Sequence, residues 1–223
     1  MASTGRPRVA GTSPTGLGTR NDILHAGAQL FCTVGYGSTS THALAAAAGI
    51  RQASLYHYFG GKHEVLLELL LGTVQPSLDA ARALLVRSER AESRLWALCA
   101  SDAGLLSGGD ANVGSLYLLP ELGDERFAEF HRRRLELESA YEQLVGAIGV
   151  ETQSLGGATA LVMSLVESVI LQRRREPDTI SSETAPSIAD AALKILDVAP
   201  AARRTARRDG IRLLELLGRT ELR

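Results

Sequence analysis

Apolar residues recur every three or four positions along most of this chain, which is the spacing of amphipathic helices. The first such stripe runs from Ile23 to Val34 and is followed by Gly35, and the hydroxyl of Thr19 is placed to cap its start. Residues 1–18 carry no stripe and are rich in Gly, Pro, Ser and Thr, so we expect a flexible N-terminal tail there. No alternation of apolar and polar positions competes with the helical pattern, and the chain is predicted to be all-α.

Two short helices are predicted within residues 38–62. Hydroxyl residues open the first, alanines fill most of positions 43–48, and Gly49 supplies a left-handed cap. The second helix begins near Gln52 and carries Leu55 on its inner face. Two short helices joined by a tight glycine turn form a helix-turn-helix, whose second helix can enter the major groove of DNA.

The remaining stripes predict longer helices. Their approximate ranges are residues 62–85, 94–106, 124–148, 155–171, 184–196 and 201–217. Pro76 is expected to kink or divide the first of these. The stretch from Leu161 to Leu171 is apolar but too short to span a bilayer, so we expect no membrane contact. The last helix, weakened by Gly210, is expected to be a packing arm rather than a membrane-binding helix.

Residues 19–62 resemble the tetracycline-repressor (TetR) family of bacterial regulators. The matching positions are Thr19, Arg20, Ile23, Leu24, Leu30, Phe31, Gly35, Tyr36, Thr39, Ser40, Leu44, Ala45, Ala48, Gly49, Ile50, Leu55, Tyr56, His57, Tyr58, Phe59 and Lys62. The resemblance implies an N-terminal three-helix helix-turn-helix domain over residues 19–64 and a C-terminal helical ligand-binding and dimerisation domain over 65–223. Two positions depart from the family's usual residues. Arg51 replaces a Ser or Thr that would cap the recognition helix, and Ala53 replaces a glycine.

Polar and aromatic residues on the second short helix are candidates for contacting double-stranded DNA. Gln52 can bond adenine through its amide, and Ser54 can reach a base edge or a phosphate. Arg51 can either bond guanine or project into solvent. The resemblance implies that Tyr56 and Tyr58 contact phosphates and thymine methyl groups.

Three further residues are placed for the DNA backbone. Thr41 and His42 lie at the start of the first short helix, and Lys62 lies at the start of the helix that follows the motif. Such contacts set register and affinity rather than sequence preference. A dimer would present two recognition helices one duplex turn apart, so the operator should be a pseudo-palindrome. Arg6 and Arg8 either follow the minor groove or belong to a solvated tail.

A regulator also needs an input, and the resemblance implies a small-molecule site in the C-terminal helices. The candidate pocket side chains, for each of which ordinary core packing is the alternative, are Trp96, Cys99, Tyr117, Phe127, Phe130, His131 and Met163. This mixture indicates a mostly apolar ligand with a few polar handles. A bound ligand would alter the spacing of the two DNA-binding ends, with a coupling of roughly 1–3 kcal/mol.

The helix predicted over residues 155–171 is apolar on nearly every side. In a soluble protein one of its faces would meet its own core and another would meet a partner subunit. The resemblance implies that this helix and the one over 184–196 form a four-helix interface in a homodimer. The side chains expected at that interface are Leu161, Leu165, Val169, Ile188, Ala192 and Ile195.

Charge and cysteine usage agree with this organisation. The net charge is −1, but residues 1–64 contain five cationic and two acidic side chains, as suits a nucleic-acid module on an acidic body. Cys32 and Cys99 have neither pairing nor metal-ligand spacing and are expected to be small buried hydrophobes. No signal peptide opens the chain, so we expect a cytoplasmic protein.

The sequence carries no pattern typical of an enzyme. Its five histidines show no zinc spacing, and no nucleophile–base set or pair of carboxylates stands out. We therefore expect no catalysis, no metal and no cofactor. The alternative function is a helical dimer that acts mainly through protein–protein contacts and has lost DNA binding, which salt-dependent binding to duplex DNA would distinguish.

Overall fold

The structure, a computed structural model, describes residues 13–220, and this range contains helices and no strand. The nine α-helices within it are α1 (Thr19–Thr33), α2 (Thr41–Ala47), α3 (Gln52–Leu55), α4 (Lys62–Leu85), α5 (Ala91–Ser107), α6 (Ala128–Gly146), α7 (Thr152–Arg175), α8 (Thr184–Ile195) and α9 (Pro200–Thr220). Short 3-10 segments lie at Val113–Leu118, Pro120–Gly123, Glu125–Phe127 and Pro177–Thr179. The prediction of an all-α fold with an N-terminal helix-turn-helix is confirmed.

The start of α1 differs from the predicted one. Gly18, not Thr19, occupies the capping position, and no side-chain hydrogen bond caps the helix. Asp22 is buried instead and accepts hydrogen bonds from the hydroxyls of Ser13 and Thr15, both at 2.7 Å. These bonds connect Ser13 and Thr15 to α1, and the flexible tail over residues 1–18 stays a prediction. Arg6, Arg8 and the rest of residues 1–12 lie outside the described residues.

α4 runs from Lys62 to Leu85 with Pro76 inside it, so Pro76 does not divide the helix. A proline removes the hydrogen bond to the carbonyl four residues earlier, here that of Gly72. Gly72 is exposed, and water can therefore bond its carbonyl in place of the missing N–H. The predicted domain boundary after residue 64 falls inside this helix, and the division into two domains stays a prediction.

α5 is the central helix of the C-terminal part. Residues 95–100 are all buried, and α5 contacts α4, α6, α7, α8 and α9. One cluster of buried apolar side chains extends from Ile23 in α1 through α4 to Leu193 in α8. The helix-turn-helix end and the larger C-terminal body therefore share a core that continues along α4.

α9 packs on α5 and α8, as the predicted packing arm requires. Gly210 is buried in this contact, where an added Cβ would lie 2.3 Å from Cε3 of Trp96. The indole Nε1 of Trp96 donates a 2.7 Å hydrogen bond to Asp190 on α8, and Arg207 on α9 bonds the other oxygen of that carboxylate at 2.7 Å. The glycine thus permits close approach of two helices rather than merely weakening one.

α7 is longer than its apolar stretch suggested. The segment Gln153–Arg175 has 23 residues and is long and apolar enough to cross a membrane, judged by length and composition only. The apolar stretch from Leu161 to Leu171 is therefore the middle part of a longer helix. Most of the exposed residues in the middle of α7 are apolar or small, as expected for a helix that pairs with a partner subunit.

We expect Gly210→Ala to lower the free energy of unfolding by about 1–3 kcal/mol, because the new methyl group overlaps the ring of Trp96. Chemical denaturation followed by circular dichroism measures this change. Gly218→Ala in the same helix is the matched control, since no atom lies within 4 Å of the added Cβ, and it should be neutral or slightly stabilising. Equal effects of the two substitutions would contradict the packing described here.

Candidate nucleic-acid interface and the C-terminal core

The helix-turn-helix presents a polar and aromatic surface to solvent. The side chains of His42, Arg51 and Gln52 are exposed, and those of Thr41, Ser54 and Lys62 are partly exposed. Tyr56 is 52% exposed and Tyr58 is 42% exposed. Two aromatic rings left in water beside an amide and a guanidinium are typical of a recognition surface rather than of a monomer's outer face.

Thr41 connects the two helices of the motif. The Nε2 atom of Gln52 donates a 2.9 Å hydrogen bond to the hydroxyl of Thr41, and the hydroxyl of Tyr56 lies 3.2 Å from the same oxygen. The hydrogen bonds that link Gln52, Thr41 and Tyr56 restrict the rotamers of all three side chains before any ligand binds. This restriction lowers the entropic cost of binding. No spacing in the sequence indicates this contact, because it joins residues 11 and 15 positions apart.

Arg51 occupies the capping position of α3 and makes no side-chain capping bond, as its departure from Ser or Thr predicts. Its guanidinium forms no ion pair within residues 13–220. α3 itself is only four residues long and ends at a turn that carries Tyr56. A free guanidinium at the start of this short helix is placed to bond either a base edge or a phosphate.

Lys62 is bound to the protein itself, whereas the sequence pattern assigned it to the DNA backbone. Its Nζ donates to the carbonyl oxygens of Tyr36 at 2.8 Å, Thr39 at 3.0 Å and Gly37 at 3.3 Å. It also lies 4.4 Å from the centre of the Tyr36 ring. An ammonium group has three donors, and all three are engaged. Lys62 therefore fixes the loop between α1 and α2 and positions α2 from the start of α4.

The seven predicted pocket residues mostly form packed core. Trp96, Cys99, Phe127 and Phe130 are buried, Tyr117 and Met163 are partly exposed, and His131 is exposed. His131 places Nε2 2.8 Å from the carbonyl oxygen of Leu122 and so helps to hold a 3-10 segment. Cavities of about 420, 390 and 380 Å³ lie elsewhere in the described part of the chain, and none of these seven side chains lines them. The assignment of these seven residues to a ligand pocket stays a prediction.

A buried polar cluster, not foreseen from the sequence, lies where α4, α5 and α6 meet. The hydroxyl of Ser77 donates to Asp102 at 2.8 Å, and the hydroxyl of Tyr141 donates to the other carboxylate oxygen at 3.0 Å. Burial raises the pKa of Asp102 to about 6, against the lowering effect of these two bonds. Burial also raises the pKa of the neighbouring Cys99 thiol. Asp102 follows Cys99 by three positions and so lies on the same apolar side of the helix. This position was the sign in the sequence that its carboxylate would be buried.

Charged and aromatic groups surround this cluster. Arg134 on α6 bonds Glu167 on α7 at 2.7 Å and lies 4.9 Å from the ring centre of Tyr117. The hydroxyl of Tyr117 lies 2.6 Å from that of Thr73 on α4, and burial raises its pKa to about 12. Ser77 and Thr73 are therefore two places at which hydroxyl groups of α4 bond side chains of the C-terminal body.

The six residues predicted for a dimer interface divide into two groups. Leu161 is 62% exposed and Ile195 is 49% exposed, and Leu165 is partly exposed. Val169, Ile188 and Ala192 are buried in the protomer's own core, so they do not form its outer face. The sides of α7 and α8 that carry these three residues face the core around α5, and the opposite sides of the two helices face outward. The exposed residues in the middle of α7 are Gly156, Gly157, Ala160, Leu161, Ser164, Ser168 and Leu171.

We expect Lys62→Met to weaken binding to every DNA sequence without changing its salt dependence, because the ammonium positions a loop rather than a phosphate. Fluorescence anisotropy with labelled duplexes at several salt concentrations measures both quantities. Arg51→Gln is the comparison, since loss of a phosphate contact lowers the slope of log K against log salt by about one. A slope reduced by about one in Lys62→Met would contradict the positioning role.

We expect Asp102→Asn to raise the free energy of unfolding above pH 6 by about 2–3 kcal/mol, because the variant no longer buries a charge. The pKa of Asp102 is about 6 in the folded protein against 3.8 for the free side chain. A raised acid pKa means that the folded state binds the proton more tightly, so stability is gained as pH falls through that window. The advantage of the variant should therefore disappear by about pH 4.

Urea denaturation at pH 4 to 8 measures this difference, with Asp110→Asn on an exposed loop as the control. Asp110→Asn should leave the pH profile unchanged. An Asp102→Asn variant that is less stable than the parent above pH 6 would show that its two hydrogen bonds outweigh the buried charge, contrary to this expectation.

Comparison with known proteins places these features in a family. The model for bacterial regulatory proteins of the tetR family matches residues 23–69, which include the helix-turn-helix. The crystal structure of AmtR from Mycobacterium smegmatis is 44% identical in sequence, with a TM-score of 0.78, and the match covers 91% of this chain and 96% of that one. No match was found among curated protein sequences.

Two further solved structures share the architecture. PfmR, a TetR family regulator from Thermus thermophilus, is 25% identical, with a TM-score of 0.66 and coverage of 77% of this chain and 97% of that one. AibR, crystallised with isovaleryl coenzyme A and operator DNA, is 19% identical with a TM-score of 0.65, and the match covers 80% of this chain and 97% of that one. That likeness concerns the fold alone. From the helix-turn-helix match and the extent of its identity with AmtR, the chain belongs to the TetR family of DNA-binding transcriptional regulators.

Proposed function

We propose that this regulator is a homodimeric repressor that binds a pseudo-palindromic operator and is released when a small molecule binds its C-terminal body. The observation that carries the proposal is the exposed surface of α2 and α3, where Gln52, Thr41 and Tyr56 are hydrogen-bonded to one another. An amide held beside two exposed tyrosines suits base reading next to phosphate contact. Arg51, His42, Ser54 and Tyr58 complete the proposed DNA surface.

The proposed dimer uses the outer sides of α7 and α8. Leu161 on α7 and Ile195 on α8 are large apolar side chains exposed to solvent. The exposed residues near Leu161 on α7 are glycine, alanine and serine, and their small size allows close approach of a second helix. A second copy of the chain would cover this face. Burial against that copy would explain why α7 is apolar over so much of its length, with no need for a membrane. We accordingly propose a cytoplasmic location. The two α3 helices of such a dimer would reach successive major grooves.

The proposed ligand site lies in the C-terminal body beside α4. Four of the seven residues predicted for it are buried in the core, so a ligand there would need to separate helices around Asp102 and Tyr117. Ser77 and Thr73, which bond these two residues, both lie on α4. A ligand that breaks either contact would shift α4 and hence α3, with a coupling of roughly 1–3 kcal/mol. The crystal structure of AibR, which has a similar fold, contains isovaleryl coenzyme A and operator DNA together, and it supports a regulator that binds both a small molecule and DNA.

The alternative function, a helical dimer that acts on other proteins and has lost DNA binding, is less well supported. A surface released from DNA binding need not keep Gln52, Tyr56 and Tyr58 exposed and hydrogen-bonded. A regulator of this family also needs no catalytic group, and the described residues contain no cluster of three or more His, Cys, Asp or Glu that could hold a metal ion. We therefore propose no enzymatic activity.

We expect Gln52→Ala to change which base pairs are preferred at one or two operator positions, because a bidentate amide contact discriminates bases by about 1–3 kcal/mol. Tyr58→Ala should instead weaken binding to all sites through the lost phosphate contact, with a larger loss only at sites that place a thymine methyl group against its ring. Selection of bound sequences from random duplexes, followed by affinity measurement on the selected sites, tests both expectations.

The matched control is Gln143→Ala on α6, an exposed glutamine far along the chain from the motif. It should alter neither affinity nor preference. A uniform loss for Gln52→Ala on every site would remove the base-reading role. Absence of salt-dependent binding to any duplex would favour the protein–protein alternative.

A further inference from the structure

A cleft between α8 and α9 is lined mainly by cationic side chains, and we call it the basic cleft. Lys194 on α8 and Arg203, Arg204 and Arg207 on α9 form its charged lining, and Asp190 is the one carboxylate there. Its volume is about 390 Å³, which is within the range of small-molecule sites. The cleft shares no residue with the proposed DNA surface or with the seven predicted pocket residues.

The carboxylate of Asp190 is already committed to other groups. One oxygen accepts from the indole of Trp96 and the other from Arg207, each at 2.7 Å. Arg207 also bonds Glu183 at 2.7 Å. Arg207 thus pairs with both carboxylates, and neither of them forms an ion pair with Lys194, Arg203 or Arg204.

Lys194, Arg203 and Arg204 make no ion pair with any residue in the described range 13–220. The other carboxylate near this turn, Asp197, likewise enters no ion pair within that range. Arg203 is only partly exposed, so its charge is not fully solvated by water. Unpaired like charges gathered at one concave site raise the local positive potential and repel one another. An anion bound among them would remove that repulsion.

The N-terminal end of α9 adds to the positive potential of the basic cleft. The helix begins at Pro200, which lines the cleft, and it runs for 21 residues. The first N–H groups of a helix lack internal partners and carry the positive end of its dipole. Cationic side chains and a helix start at one concave site are the arrangement that binds phosphate in many proteins.

We propose that the basic cleft binds a small molecule that carries a phosphate or diphosphate group. Guanidinium groups match phosphate oxygens in a bidentate geometry, and Arg203 and Arg204 are free to supply it. A nucleic-acid backbone has the same chemistry, but α8 and α9 pack on α5 and not on the helix-turn-helix. The concave shape and limited volume also suit a small ligand better than a duplex.

Binding at this site has a built-in reporter. Trp96 is the chain's single tryptophan, and its indole is hydrogen-bonded to Asp190. An anion that draws Arg207 into the cleft weakens the bond between Arg207 and Asp190 and so changes the surroundings of the indole. The emission of Trp96 should therefore shift when the cleft is filled.

The test titrates the full chain with pyrophosphate at low salt and follows both heat and Trp96 fluorescence. We expect saturable binding of one pyrophosphate per protomer with a change in emission. The double variant Arg203→Gln with Arg204→Gln should weaken this binding at least about tenfold, since it removes two of four cations. The matched control, Arg174→Gln with Arg175→Gln, makes the same charge change at exposed sites on α7 and should leave the affinity unchanged.

Several results would overturn the proposal. These are no saturable binding up to about 10 mM pyrophosphate, equal weakening in the control variant, or stoichiometric displacement of pyrophosphate by a random duplex, which would assign the cleft to nucleic acid. Arg204→Gln alone, at an exposed position, serves if the double variant melts at a lower temperature. The assay contains no operator, so its failure leaves the proposed DNA-binding function untouched.

Discussion

The three hydrogen bonds from Lys62 to the loop between α1 and α2 are the contact on which the DNA-binding end depends. They join the first residue of α4 to the backbone that leads into α2, and so fix the position of that loop relative to α4. Arg20 adds a second connection, because it pairs with Glu68 on α4 and lies 5.0 Å from the ring centre of Phe59. The recognition surface is therefore positioned by α4 rather than by the short helices alone.

The same helix continues into the C-terminal body, where Ser77 and Thr73 bond the buried Asp102 and Tyr117. A carboxylate held in the core at an energetic cost is a place where a small change in the surroundings has a large effect on stability. Asp102 lies on α5 and bonds α4 through Ser77 and α6 through Tyr141. We regard α4, fixed at its start by Lys62 and bonded midway to Asp102, as the element through which an input in the body would reach the DNA-binding end.

Much of the fold could be predicted from the sequence, because helix formation follows apolar spacing, caps and glycines that are local in the chain. The exposure of Gln52 on α3 was likewise predictable from its position. The hydrogen bonds of Lys62 were not, because its partners lie 23 to 26 residues earlier and only the tertiary fold brings them together. For the same reason periodicity identified α7 and α8 as apolar but did not tell which side each turns to α5, and the structure buries Val169 and Ala192 in the protomer's own core.

The central claim is that a dimer holds two α3 helices at a separation that DNA binding selects. The most direct measurement is the distance between spin labels attached to Ala47→Cys, an exposed position at the end of α2, in the two protomers. With a selected operator added, we predict that a broad distribution narrows to one peak near the length of a duplex turn, about 35 Å. Absence of any dipolar coupling between protomers, or a distribution that the operator leaves unchanged, would contradict the account.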